Sequence, residues 1–170
     1  MKILIAVLGS IILLLSSCTR REVSLDVLAI TSSLKAEKTL KIVLGAMEEK
    51  DGEALKAVFS QDALNNAENI DDEINSLFEF FQGKVVSWDD DAGLGVDEEF
   101  KNGLILRRTV FFVNVTTEEQ EYFIYLLEYP IDKEHPNNVG LHTLRVMKME
   151  DEEQFGYWQD NMFPGIKSGV

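Results

Sequence analysis

The sequence has little cysteine and little histidine: Cys18 is its only cysteine, and two histidines occur among 170 residues. A lone thiol cannot form an intramolecular disulfide, so the domain must hold together through its core. No zinc-ligand spacing is present, and neither a Walker loop, a dinucleotide fingerprint nor a serine elbow occurs. We therefore predict no catalytic residue, no cofactor and no metal ion, which favours a non-enzymatic protein.

Basic side chains are also scarce. Lysine and arginine total 16 against 30 aspartates and glutamates, which gives a formal net charge of −14. A field of this sign repels nucleic acid and anionic lipid headgroups, so nucleic acid is excluded as a partner. We interpret the acidity as serving solubility and spacing from the membrane.

Long apolar runs are missing except at the N-terminus. There, Lys2 precedes an apolar run over residues 3–15, and the small residues Ser16 and Ser17 follow it. The run is shorter than the roughly 20 residues that a membrane-spanning helix needs. The layout is typical of a secretory signal, so we predict that residues 1–17 are removed on export.

The end of this segment, Leu15-Ser16-Ser17-Cys18, resembles the processing box of bacterial lipoproteins. The resemblance implies that lipoprotein-processing enzymes acylate the Cys18 thiol and cut before it. Each buried acyl CH₂ contributes about 0.8 kcal/mol, so two or three chains hold a domain firmly at a membrane. We predict a lipid-anchored protein on the extracytoplasmic face of the cell membrane. The alternative is that Cys18 is discarded with an ordinary signal peptide or is buried.

Beyond the signal segment, one domain is expected from the length. We predict a lipidated linker over residues 18–33 and a single domain over residues 34–170. Arg20 and Arg21 in the linker could rest on anionic lipid. Apolar residues at 25–30 leave open an early helix packed on the domain.

Helical patterns fill the first half of the domain. Apolar residues recur at helical spacing over residues 34–50, and Asp51-Gly52 ends that pattern and caps a second, short helix. A third helix is predicted after Asn69, with acidic residues in its first turn and Gly83 as its stop.

Strand patterns fill the second half. They cover residues 84–88, 104–115, 121–131 and 140–149, and the acidic residues 89–99 are predicted as a turn. Helices followed by antiparallel strands predict an α+β domain with the helices on one face of a bent sheet.

Two stretches carry a family resemblance. MEEKDGEALKAVFS, residues 47–60, is similar to the helix hairpin that opens nuclear-transport-factor-two-like domains, of the cystatin-like superfamily. DDEI, FFQGKV, VGLHTLRV and QFGYWQD resemble an uncharacterised domain of bacterial lipoproteins, domain-of-unknown-function family 5104. The resemblance implies N-terminal helices packed on a curved, mainly antiparallel sheet in a cone shape. It brings no assigned activity and no catalytic residue.

A cone can enclose a pocket, and four residues are candidates for its lining. Strand alternation could bring Tyr125, Tyr129 and His142 together inside the cone, with Trp158 at its wide end. The alternative is that the tyrosines fill the core and that His142 is a half-buried, hydrogen-bonded residue.

Two further segments allow more than one interpretation. An EF-type calcium loop starting at Asp89 fails, because Leu94 stands where glycine is needed and Phe100 where glutamate is needed. Weak cation binding at residues 89–99 remains an alternative to a solvated turn. The aromatic tail over residues 155–163 either forms a binding rim or folds over the open edge of the sheet.

Together these patterns predict a non-catalytic binding or interaction module of the bacterial envelope, with an unknown ligand or envelope protein as its partner. A small-molecule enzyme that uses a cone pocket and an accessory subunit of an envelope complex are the alternatives. An enzyme requires a deep pocket with a titratable pair, which a binding module does not.

Overall fold

The computed structural model describes residues 25–169, apart from the side chains of residues 25–29, 90–92 and 101. The predicted signal segment, the predicted lipid site Cys18 and the start of the predicted linker lie outside the described residues. No helix in residues 25–169 is both long enough and apolar enough to cross a membrane.

Four α-helices precede the sheet in the described part of the chain. They are α1 (Leu25–Glu49), α2 (Gly52–Lys56), α3 (Gln61–Asn66) and α4 (Ile70–Phe80). The last three begin at polar caps, because side-chain oxygens of Asp51, Ser60 and Asn69 accept backbone N–H groups of the first turn. The predicted second and third helices are confirmed as α2 and α4, whereas α3 is not among the predicted helices.

The first helix is longer than the sequence pattern indicates. It begins at Leu25, so residues 25–33 are helical, which agrees with the early helix that the apolar residues at 25–30 left open and not with an extended linker. Ser32 and Ala36, one turn apart, are both buried, which shows that the helix already packs against the domain at this point. Small residues at these positions allow that contact but do not produce a strong apolar periodicity.

The sheet has five strands in chain order: β1 (Val85–Lys101), β2 (Leu104–Thr117), β3 (Glu121–Asp132), β4 (Gly140–Lys148) and β5 (Gly165–Ser168). The first four pair antiparallel, and β5 runs parallel to β4. The predicted α+β class with a mainly antiparallel sheet is confirmed. β5 was not predicted, and it covers the edge of β4, whereas the aromatic tail over residues 155–163 packs on a face of the sheet.

The prediction of a turn over residues 89–99 is wrong. These residues belong to β1, whose pairing with β2 has irregularities of register between Val85 and Ser87 and between Asp89 and Gly93. The acidic run tolerates a strand because β2 supplies opposite charges: Arg107 pairs with Glu98, and Arg108 pairs with the residue facing it, Asp97. Such cross-strand pairs of opposite charge favour pairing.

The main core lies between the helices and one face of the sheet, which we call the helix-facing side. Leu40, Val43 and Met47 of α1 pack there against strand residues such as Ile124 and Leu144. These side chains are almost completely buried. Burial of each side chain contributes about 1.5 to 3 kcal/mol. This core therefore supplies most of the stability of a domain that has no disulfide.

The opposite face of the sheet, which we call the second face, carries a smaller aromatic cluster. Its buried members are Phe123, Tyr125, Leu127, Met147 and Phe155. The tail over residues 149–163 covers it with two short 3₁₀ helices, Met149–Gln154 and Trp158–Asn161. Asn161 fixes the tail, since its Nδ2 donates to the carbonyl oxygens of Phe155 and Tyr157 at 2.9 and 3.0 Å, and its Oδ1 accepts from Arg145.

Candidate functional site

A groove lies on the second face of the sheet, where the tail meets β1 and β2. We call it the Arg108 groove; its volume is about 400 Å³. It is lined by Gly95, Val96, Asp97, Arg108, Val110 and Trp158. Small-molecule pockets have volumes of roughly 300 to 1,000 Å³, so the groove has room for a small ligand.

Arg108 supplies the charge in this groove. Its guanidinium lies 5.1 Å from the centre of the Trp158 ring, within the range of a cation–π contact. Its Nη2 also donates to Asp97 Oδ2 at 2.6 Å. The side chain of Asp97 is 63% exposed, so solvent weakens this ion pair. A carboxylate, phosphate or sulfonate on a ligand could therefore take the place of Asp97.

The absence of a side chain at Gly95 keeps the groove open. A Cβ atom built at this position would lie 2.6 Å from Val110 Cγ2 on the neighbouring strand. A side chain at this place would therefore require Val110 to shift. The combination of a glycine floor, an indole wall and a guanidinium suits a flat apolar group that carries a hydrogen-bond acceptor.

Tyr129 and His142 lie together near the groove. Their rings meet edge to face, with 5.5 Å between centroids. Burial raises the pKa of the Tyr129 hydroxyl, and the charge and hydrogen bond of Arg108 oppose that rise. Burial lowers the pKa of His142, against the attraction of Asp62, so the imidazole is neutral at neutral pH. Its Nδ1 finds no hydrogen-bond partner among residues 25–169.

Tyr125 belongs to the aromatic cluster rather than to the surface of the groove. Its side chain is fully buried, and its ring lies 5.3 and 5.2 Å from those of Phe112 and Phe155. Burial strongly raises the pKa of the hydroxyl, which has no hydrogen-bond partner in the described part of the chain. A phenol of this kind stays protonated and cannot act as a base.

Three of the four predicted pocket residues, Tyr125, Tyr129 and Trp158, lie around Arg108, a residue that the sequence analysis does not predict for the pocket. Arg108 contacts Trp158 and interacts electrostatically with Tyr125 and Tyr129. Tyr125 and Trp158 pack in the cluster of the second face, on the opposite side of the sheet from the helices.

A bulge explains the position of His142. Regular alternation along β4 predicts that His142 shares a face with Leu144, but the register skips it: Leu127 pairs with Thr143, and Glu128 pairs with Leu141. As a result Leu141 joins the helix-facing core and His142 turns toward Tyr129. Bulges re-aim side chains in this way, and alternation alone does not reveal them.

Apart from the groove, a carboxyl group lies inside the main core. Glu128 is only 3% exposed, and its Oε2 accepts a hydrogen bond from the Thr39 hydroxyl of α1 at 3.0 Å. Burial raises the pKa of this carboxyl, while Lys35 and the Thr39 hydrogen bond lower it. Glu128 faces Thr109, and neither Glu128 Oε1 nor Thr109 Oγ1 has a partner among the described residues. The sheet separates this carboxyl from the Arg108 groove.

Comparison with known families matches residues 42–149 to a domain of unknown function, DUF5104. The chain belongs to this family. A comparison with curated proteins finds no match. The matched range of the DUF5104 domain includes Arg108, Tyr129 and His142 but ends before Trp158, so one wall of the groove lies outside it.

The described residues of the DUF5104 domain hold no group of three or more histidine, cysteine or acidic side chains suited to a metal ion. Residues 90–92 contribute no described side chain to that search. Within the stretch considered for calcium, Asp97 and Glu98 are instead paired with arginines.

The sequence analysis does not predict the charged groove residues Arg108 and Asp97. Their pairing across two strands could nevertheless be predicted from the hairpin that joins those strands. Asn102-Gly103 has left-handed φ angles of 54° and 80° and joins β1 to β2. This dipeptide is the strongest short hairpin signal. Counting outward from it pairs Lys101 with Leu104 and, four steps on, Asp97 with Arg108.

Proposed function

We propose that this DUF5104 chain is a lipid-anchored lipoprotein on the extracytoplasmic face of the bacterial cell membrane, where it binds a ligand without converting it. The anchor rests on the sequence Leu15-Ser16-Ser17-Cys18 and the apolar run before it. In this proposal lipoprotein-processing enzymes acylate Cys18 and release residues 1–17.

The observation that carries the binding role is the Arg108 groove. It offers an aromatic wall and a cation, whereas an acid–base enzyme needs two titratable groups facing the same substrate. Asp97, the acid in the groove, is already paired with Arg108. We therefore assign the groove to a small ligand that combines a flat apolar part with an anionic or acceptor group.

An enzyme is the second candidate, and Glu128 favours it. A buried carboxyl with a raised pKa and an unpartnered oxygen is a feature of acid–base catalysts. In this alternative the helices and sheet form a nuclear-transport-factor-two-like cone, and substrate reaches Glu128 from the helix-facing side. The proposal thus includes membership of the nuclear-transport-factor-two-like superfamily. Helices packed on one side of a mainly antiparallel sheet support this part of it.

The anchor is tested by Cys18→Ala. The variant should accumulate as unprocessed precursor and take up no labelled fatty acid, because the acceptor thiol is gone. Ser17→Ala is the matched control: it keeps a small residue before the cut and should mature normally. Normal processing and acyl labelling of Cys18→Ala would contradict the proposal.

The groove is tested with anilinonaphthalene sulfonate, which combines flat rings with a sulfonate. We expect saturable binding to the native protein and an affinity roughly tenfold lower for Trp158→Ala, because a stacking contact is lost. Trp88→Ala removes the other, exposed tryptophan and should bind as before. Equal binding by all three proteins would exclude this groove. Affinity capture from the native envelope would then identify a protein partner, as the accessory-subunit alternative requires.

A further inference from the structure

The outward side of α1 carries apolar residues that nothing in the described structure covers. Ile30, Leu34, Lys38 and Ile42 follow one another at intervals of four, which places them along one stripe of the helix. Ile30 is 59% exposed, Leu34 is 63% exposed and Ile42 is 39% exposed. We call these four residues together with Lys41 the outer stripe. From Ile30 to Ile42 it extends about 18 Å along the helix axis.

The outer stripe is basic, unlike the protein as a whole. It contains Lys38 and Lys41, and the one acidic residue within residues 30–42 is Glu37, whose carboxylate pairs with Lys41 at 2.6 Å. The complete chain has almost twice as many acidic as basic residues. The net charge therefore predicts that most of the protein surface is repelled by anionic lipid, but this prediction does not apply to the outer stripe.

Trp88 extends the outer stripe onto the sheet. It pairs with Val115, a member of the helix-facing core, so it lies on the same side of the sheet as α1. The Lys41 ammonium is 5.9 Å from the centre of its ring, and 38% of the residue is exposed. Tryptophan is enriched where a protein meets the headgroup region of a membrane.

We propose that the outer stripe of α1, with Trp88, lies on the anionic surface of the membrane that anchors the chain. The lysines contact acidic headgroups while Ile30 and Leu34 enter the headgroup region. The opposite side of α1 is occupied by the core, so the stripe is narrow and its binding weak without a tether.

This inference rests on the proposed lipid at Cys18, because the tether brings the stripe to the surface. Only residues 19–24 separate Cys18 from α1, and an extended chain of that length reaches no more than roughly 25 Å. Such a short connection gives the stripe a high effective concentration at the lipid surface. A second copy of the chain is a poorer occupant, since it would bring another basic stripe and a second strongly acidic domain.

The orientation has a consequence for ligand binding. α1 packs on the helix-facing side of the sheet, and the Arg108 groove lies on the second face. With the outer stripe on the membrane, the groove faces away from it, toward the medium or a neighbouring envelope component.

The experiment measures the depth of Trp88 in the mature lipoprotein, purified from membranes and reconstituted into vesicles. Trp158→Phe leaves Trp88 as the only tryptophan. In vesicles of phosphatidylcholine and phosphatidylglycerol, we expect a blue shift of its emission and quenching by brominated lipid. Vesicles of phosphatidylcholine alone and high salt should both diminish these effects.

Two variants test the residues of the outer stripe. Leu34→Ser and Lys38→Gln should each reduce the quenching, and Lys38→Gln should weaken partition of the unlipidated chain to anionic vesicles roughly fivefold. Phe100→Ser and Lys133→Gln change equally exposed residues elsewhere and should have no effect. The proposal is overturned if, in anionic vesicles, aqueous acrylamide still quenches the fluorescence of Trp88 and brominated lipid does not.

The experiment distinguishes two negative outcomes: Cys18 carries no lipid, or the outer stripe does not contact the membrane. If Cys18 carries no lipid, the purified protein does not float with vesicles, which contradicts the proposed function. The lone thiol of Cys18 can then be coupled to a maleimide lipid to restore a tether of the same length. Quenching of Trp88 by brominated lipid in that sample supports the surface, and its absence refutes it.

Discussion

The hydroxyl of Thr39 on α1 donates a hydrogen bond of 3.0 Å to the Glu128 carboxylate on β3, inside the main core. This bond links the first helix to the centre of the sheet, but it satisfies only one of the two carboxylate oxygens. Half-satisfied buried polar groups lower stability. The domain therefore carries a destabilising group that a fully apolar core would lack.

We predict that Glu128→Gln stabilises the protein by about 1 kcal/mol at a pH above the folded-state pKa of Glu128, because an uncharged amide then replaces a buried charge and can donate to Thr109. The folded-state pKa of Glu128 lies above the ordinary value of 4.5, so the native protein binds this proton more tightly than the unfolded chain. Its stability therefore falls as pH rises through the folded pKa.

Urea denaturation over a pH series from below 4.5 to above neutral checks this prediction. The advantage of the variant should vanish at the lower pH, where Glu128 is protonated in both states. Glu134→Gln, in the exposed loop after β3, serves as the control and should leave the pH dependence unchanged. A variant less stable than the native protein at the highest pH would show that Glu128 makes a favourable charged contact.

Tyr122→Phe should lower the free energy of unfolding by about 1 to 3 kcal/mol. The Tyr122 hydroxyl accepts from the backbone N–H of Gln82 at 2.7 Å and donates to the carbonyl of Phe80 at 3.1 Å. These bonds satisfy the backbone at the end of α4, and the variant leaves the Gln82 N–H and the Phe80 carbonyl without this partner. Urea denaturation measures the loss. Tyr157→Phe, at a residue that is 77% exposed, should change stability little.

Asn161→Ala should release the tail from the second face. The variant removes three hydrogen bonds and leaves the partly buried Arg145 side chain without its amide partner. We expect faster amide hydrogen exchange over residues 149–163 and a stability loss of roughly 2 kcal/mol or more. Asn137→Ala, in an exposed loop, is the matched substitution. Unchanged exchange in the tail would mean that Phe155 packing alone fixes it.

Gly140→Ala should destabilise the domain by at least about 2 kcal/mol. Gly140 has a φ of 136°, and an added Cβ would lie 2.8 Å from the backbone nitrogen of Ser60. The backbone of residues 58–60 bonds to Leu141 at this point, so neither chain can move apart freely. Gly45→Ala, in α1 with open space around it, should instead stabilise by up to about 1 kcal/mol. Thermal denaturation of the two variants decides between these opposite signs.

Strongly periodic segments were predictable from sequence, whereas features that depend on distant partners were not. The stripe of α4 and the strands β2, β3 and β4 carry their own apolar pattern. The acidic half of β1 reads as a turn until Arg107 and Arg108 on the next strand are considered. β5 is too short for a pattern, and its position depends on α4, where Glu73 accepts the N–H of Ile166 at 2.8 Å.

The candidate site shows the same division. Tyr125, Tyr129, His142 and Trp158 could be selected by residue type, but their arrangement depends on the bulge that skips His142 and on the tail that carries Trp158. Arg108 joins them only after the hairpin at Asn102-Gly103 fixes the register. A pattern in one strand contains neither of these relationships.

The two borders of the sheet differ in what they permit. α4 closes the outer side of β5, where Glu73 accepts the amide of Ile166. The outer side of β1, by contrast, has no strand beside it in the described chain. Any pairing of β1 with a strand from another molecule is therefore self-limiting: two copies joined at β1 would have no second border to offer. Pairing at β1 would therefore stop at two copies, whereas a continuous sheet needs a second free border.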